Sequence, residues 1–200
     1  MKNLLIFGCL FLLGIFFLAC QPENKTGPTA TDQAAVASAG MSKADSVKRG
    51  EYLVTTMGCN DCHTPKTMTN QGSMPDPARL LSGHTASEVL PKMPNKSVYA
   101  PGQWILINSS LTSFTGPWGT SFAANLTPHE TGIGNWTLEN FDRALRIGKH
   151  LGAENGRPIL PPMPWPNLVN LTKEDLANMW QYLRSLKPVE NKVPNPLPPA

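Results

Sequence analysis

Five consecutive residues, Cys59-Asn60-Asp61-Cys62-His63, constrain this chain more than anything else in its 200 residues. Residues three and four apart on a helix share a face, so one helical turn here presents two thiols and an imidazole to the same side. That geometry suits covalent capture of a single haem: the two cysteine sulfurs add to its vinyl groups, and the next histidine reaches the iron. A redox dithiol or half of a zinc site would use the same CxxC. No second CxxC and no thioredoxin-like strand pattern accompanies it, however. A chain built on this motif must fold a pocket around a rigid, largely apolar plate and supply a donor for the iron's other face.

The candidate donor is Met163, within Leu160-Pro161-Pro162-Met163-Pro164-Trp165. A thioether is soft, favours ferrous over ferric iron and raises the reduction potential relative to a second imidazole. Prolines on both sides fix the loop that must hold so weak a ligand in place. Met57, Met68, Met74, Met93 and Met179 are alternatives, of which Met57 and Met179 sit where helix cores are expected, and Met163 itself could simply pack. His84, His129 and His150 are rival ligands, each alone on a polar stretch that reads as surface. Trp104, Trp118, Trp136 and Trp165 are candidates to wall a dry pocket, with ordinary core packing as the other reading. Lys66, Lys92, Lys96 and Lys149 form a candidate basic rim for an acidic partner.

The rest of the chain reads as one mostly α-helical domain. Ser42 or Asp45 caps a first helix running through Val47, Leu53, Val54 and Met57 towards the motif. Gly50 inside it predicts close approach by another helix. Thr172 caps a last helix whose Leu176, Met179, Trp180, Leu183 and Leu186 recur at helical spacing until Pro188, and this is the expected partner. Between them, Thr137 opens a helix carrying Phe141, Ala144 and Leu145 and ending at Gly148. Residues 66–134 lack periodicity apart from a strand-like Trp104-Ile105-Leu106-Ile107, and read as long loops with room for a small hairpin. Proline, 20 of 200 residues, is about twice its usual share, which agrees with short helices joined by loops of fixed shape.

The N-terminus reads as an export signal over residues 1–19: Lys2 precedes an apolar run from Leu4 to Leu18. Phe17-Leu18-Ala19-Cys20 resembles the lipobox of bacterial lipoproteins, although Phe17 and Leu18 depart from its usual residues. An acylated Cys20 is the expectation and an uncleaved anchor helix the alternative. Both turn the domain outward, towards the periplasm, and Gln21 mildly favours the outer membrane by resemblance to enteric sorting rules. Residues 20–42, rich in Thr, Ala, Ser, Pro and Gly, read as a flexible tether with a reach of roughly 25 Å. Cys9 lies in the signal core, so no cysteine is left for a disulfide. Residues 43–189 form the expected domain and 190–200 a Pro-rich tail. The formal charge of +3 offers no basic stripe of the kind nucleic acid requires.

Three stretches together resemble the cytochrome c family found beside membrane-bound dehydrogenases, including alcohol and gluconate dehydrogenase cytochromes. They are Arg49–Val54 running into Gly58–Lys66, Asn125–Thr137 continuing to Gly148, and Met163-Pro164-Trp165 followed by Leu171–Leu176 and Tyr182–Leu186. The resemblance implies a class I type cytochrome c fold, with terminal helices crossing and loops closing a haem pocket. It implies Met163 as sixth ligand and an electron carrier rather than an enzyme. A dehydrogenase, oxidase or another cytochrome would be its partner. An obligate dehydrogenase subunit, or a haem enzyme or sensor with an open iron site, are the alternatives. Members often carry two or three such domains, whereas this chain has one motif, and His129 stands where Asp is common.

Overall fold

The computed structural model describes residues 41–199. The expected signal segment and Cys20 lie outside the described residues, as does nearly all of the tether. Helix α1, Lys43–Thr56, begins where the Ser42 hydroxyl accepts the Asp45 amide at 3.1 Å. After Gly58, held at φ 72°, the one-turn helix α2 spans Cys59–His63. Helix α3, Leu138–Ile147, starts at a reciprocal Thr137–Asn140 cap and stops at Gly148, φ 62°. Helix α4 is Lys173–Ser185, capped by Thr172.

Helices α1 and α4 pack closely, as Gly50 predicts. A Cβ at that position would lie 2.0 Å from the Asn178 carbonyl oxygen and 2.7 Å from the Tyr182 Cβ. Arg49 and Asp175 pair across the rim of this contact at 3.0 Å. The core gathers Leu53 and Val54 of α1, Phe141 and Leu145 of α3, and Leu176, Met179, Trp180 and Leu183 of α4, with Leu81 and Ile133 from loops.

The 66–134 region holds more order than its sequence suggests. Strands β1, Lys66–Thr69, and β2, Gly72–Pro75, form an antiparallel hairpin; β3, Leu106–Ile107, β4, Ser113–Gly116, and β5, Gly119–Phe122, form an antiparallel sheet in that order. The strand expected at 104–107 is shorter, confined to its last two residues. Strands β4 and β5 are built from Ser, Thr, Gly and Phe and are buried on both faces, so no alternation of polar and apolar residues announces them. Their hydroxyls satisfy each other, with Thr115 Oγ1 and Thr120 Oγ1 at 2.7 Å.

Residues after Val189 follow the domain surface. The Leu197 amide and carbonyl exchange hydrogen bonds with Thr120 at 2.9 and 3.0 Å, and Asn191 reaches into the loops at 82–86.

Candidate cofactor site

The motif is held from both ends. Lys66 Nζ donates to the carbonyls of Asn60, Asp61 and Thr64 at 3.3, 2.9 and 2.5 Å, closing the last turn of α2. Lys66 was expected on a basic rim; its ammonium is instead committed to these carbonyls. Thr64, fully buried, receives the Leu81 amide on its hydroxyl at 2.9 Å.

His63 is fixed twice. Its main-chain oxygen accepts the Gly83 amide at 2.7 Å, and its ring Nδ1 lies 2.8 Å from the Ala124 carbonyl oxygen. The carbonyl can only accept, so Nδ1 carries the proton and Nε2 keeps its lone pair for a metal. Burial lowers the His63 pKa, against the smaller opposing pull of the Ala124 carbonyl, which keeps the ring neutral as a ligand must be. Gly83 sits at φ 80°, and a Cβ there would lie 2.6 Å from the Ala123 oxygen, so only glycine lets this loop touch both neighbours.

Cys59 and Cys62 are half-buried and free of any disulfide. Burial pushes the Cys59 thiol up to about 11. Burial and then Asp61 raise that of Cys62. Both are protonated thiols at neutral pH in the free chain.

Met163 is half-buried against the core, as are Met57, Leu80, Leu126 and Trp136. Its loop is tied to the second sheet by Ser121 Oγ, which donates to the Pro161 carbonyl at 2.5 Å. Trp165 lies against Gly148, where an added Cβ would meet its ring at 2.3 Å, and so joins the Met163 loop to the end of α3. On α3, Arg143 Nε is buried without a partner among the described residues, a donor of the kind a cofactor carboxylate satisfies. Two free thiols and a neutral imidazole with one free nitrogen, on a single helical turn, are a donor set that fits haem c.

The sequence model of the cytochrome c family matches residues 47–187. The chain belongs to that family. A cytochrome c domain carries covalently bound haem c, which accounts for the paired thiols of Cys59 and Cys62. Among curated proteins, the cytochrome c subunit of a quinone-dependent alcohol dehydrogenase from Gluconobacter oxydans is 31% identical over 153 residues, 74% of this chain and 24% of that protein. The fructose dehydrogenase cytochrome subunit of Gluconobacter japonicus is 29% identical over 74% of this chain and 23% of its own length. The gluconate 2-dehydrogenase cytochrome c subunit of Pantoea cypripedii is 28% identical over 76% and 27%. The chain thus spans about a quarter of the length of these relatives.

The other sequence candidates scatter. Met68, Met74 and Met93 are exposed and Met179 is buried in the core. His129 closes a local turn, its Nδ1 accepting the Thr131 amide at 3.2 Å, and His150 is half-buried beside Arg157. His84, read as a surface residue, is buried, with its ring Nδ1 2.8 Å from Thr112 Oγ1. Trp104, expected to wall the pocket, is exposed at the surface of the insert. Trp118 packs on Gly116 in the second sheet. Sequence reasoning missed Ala124, Gly83 and Asn191, which act through the backbone or on it and leave no side-chain signature.

Proposed function

We propose that this chain is a monohaem electron-transfer protein facing the periplasm, taking single electrons from a dehydrogenase or respiratory donor and passing them to a downstream acceptor. The observation that carries the reading is the doubly fixed, neutral His63 on the same helical turn as two free thiols. Haem, when bound, supplies an iron that changes charge by one unit. The chain's residues do the rest. Cys59 and Cys62 fasten the macrocycle, so no cofactor is lost between encounters. His63, turned by Ala124, would hold the iron through Nε2, and Met163, braced by prolines and the core, would hold it through its sulfur. A fixed ligand pair would keep rearrangement small as charge changes, and apolar surroundings would disfavour the extra charge of the oxidised state. Trp165 supports the Met163 loop from the end of α3. At Cys20 a lipid would hold the domain to a membrane, the outer membrane by the Gln21 signal, and partner contacts would be small and transient.

The resemblance to dehydrogenase cytochrome subunits supports a dehydrogenase as donor. Oxidised and reduced spectra of the wild type and Met163→Ala test the ligand set. The wild type should show a sulfur-to-iron charge-transfer band and refuse carbon monoxide at neutral pH; Met163→Ala should lose the band, bind carbon monoxide and show a lower potential. A wild type that binds carbon monoxide readily would replace the carrier with an open-site enzyme or sensor.

A further inference from the structure

The insert between α2 and β4 has an outer face that the cofactor site does not use. Val89 is 89% exposed and Trp104 73%, and Met93, Ile105 and Ile107 are exposed beside them. Met93 and Ile107 share one shallow groove, lined by Leu90–Pro94 with Lys92 on one side and by Leu106–Asn108 on the other; Val89 precedes the first wall in sequence and Trp104-Ile105 precedes the second, and the Trp104 amide donates to the Val98 carbonyl at 3.0 Å. Lys92 and Lys96 stand exposed on the same segment. The acidic residues of 66–112 are committed elsewhere. Asp76 pairs with Arg79 at 2.7 Å. Glu88 accepts from Asn108 and Ser110 at 2.7 and 2.9 Å, which also ties the Val89–Pro94 segment to the second sheet. The outward charge left on this face is positive.

We propose that this face docks on a bilayer surface carrying anionic headgroups. Tryptophan and aliphatic side chains settle at the boundary between headgroup and acyl chain, while lysines beside them reach phosphate oxygens. Val89 and Trp104 stand so far proud that a protein partner would need matching sockets, whereas a fluid interface accepts convex apolar groups as they are. Because Glu88 fixes the loop to the sheet, docking would set the orientation of the whole domain rather than that of one floppy arm. The inference goes beyond electron transfer and does not depend on Cys20. A tether at that cysteine would raise the local concentration of the face at the membrane, so a weak affinity suffices.

Vesicle sedimentation tests it, using haem-loaded residues 21–200, which lack the lipid acceptor and keep every described residue. Binding to phosphatidylcholine vesicles containing phosphatidylglycerol should exceed binding to phosphatidylcholine alone by at least ten-fold at low salt, and weaken at physiological salt. Trp104→Ala combined with Ile107→Ser should lower binding ten-fold or more, and Lys92→Glu combined with Lys96→Glu should remove the preference for the anionic lipid. Both pairs should leave the absorption spectrum and Tm unchanged, since all four side chains are exposed. Failure of the wild type to bind, equal binding to both vesicle types, or double variants that bind like wild type would overturn the proposal. So would variants that spare vesicle binding but slow reduction by a dehydrogenase, which would give the face to a protein partner.

Discussion

His84 is 1% exposed, yet nothing around it in the sequence says so. Ser82-Gly83-His84-Thr85 is a polar run, and the burial comes from residues far along the chain. Thr112 sits on its Nδ1, Phe122 tilts against its ring at 4.7 Å, and Asn191 holds its carbonyl. Cys59, Cys62 and His63 were legible for the opposite reason, since their meaning lies in spacing alone, whereas the carbonyl of Ala124 that orients His63 is identical to every other carbonyl until the chain has folded. Burial lowers the His84 pKa below its ordinary 6.5, and the Glu88 carboxylate, 3.8 Å away, only partly opposes this. Arg79, bonded to Thr85, is the nearby cation. A base with a depressed folded pKa binds fewer protons folded than unfolded. Its contribution to stability is therefore complete above 6.5 and is lost as pH falls from there through the folded value. Thermal unfolding of the haem-loaded protein should show Tm falling below that pH, with a slope from this one proton of up to about 1.4 kcal/mol per pH unit. His84→Gln keeps a hydrogen-bonding group without the titration and should flatten the fall; equal acid sensitivity in the two proteins would remove His84 as its source.

At the scale of elements, the helices were readable, whereas of the strands only β3 and room for a small hairpin were. The helices α1, α3 and α4 each combine a side-chain cap with apolar residues at 3.6-residue spacing, two signals that agree. The strands β4 and β5 offer neither, because their burial on both faces rests on small hydroxyl residues that pair with one another. The close approach at Gly50 is the sharpest case of sequence reporting on packing. Glycine within a helix is unfavourable by about 1 kcal/mol against alanine, and the space that requires it is filled by the Asn178 carbonyl and Tyr182. Gly50→Ala would regain that propensity but drive a methyl into backbone that cannot move without separating α1 from α4. Overpacking of this kind costs about 3 kcal/mol, so a net loss of roughly 2 kcal/mol should appear in the denaturant midpoint. A midpoint equal to or above wild type would mean that the two helices are not packed at this residue.

Across the whole molecule, the loops that hold His63 are themselves held by the segment after Val189, which the sequence presents as a proline-rich tail. Its composition hides its role: Asn191 has no periodic neighbours, and its partners lie some hundred residues away. The Asn191 side chain donates to the Ser82 and His84 carbonyls, both at 2.8 Å, and accepts the Ala86 amide at 3.0 Å. Asn125 and Thr127 bind the carbonyl of Val189 at 2.9 and 3.3 Å. Between Ser82 and His84 lies Gly83, whose amide holds the His63 carbonyl, while Asn125 adjoins Ala124, whose carbonyl orients the His63 ring. The strap therefore braces both contacts that fix the imidazole. Asn191→Ala removes three hydrogen bonds and leaves their partners unpaired, a loss of about 3 kcal/mol, or roughly 10 °C in Tm for a domain of this size. Asn191→Asp keeps the acceptor for Ala86 but loses both donors and should fall between. If the brace reaches the cofactor, the reduction potential of Asn191→Ala will shift at a temperature where the variant is still fully folded. A potential identical to wild type beside a lowered Tm would confine the strap to holding the fold, and an unchanged Tm would show that the strap does not brace these loops at all.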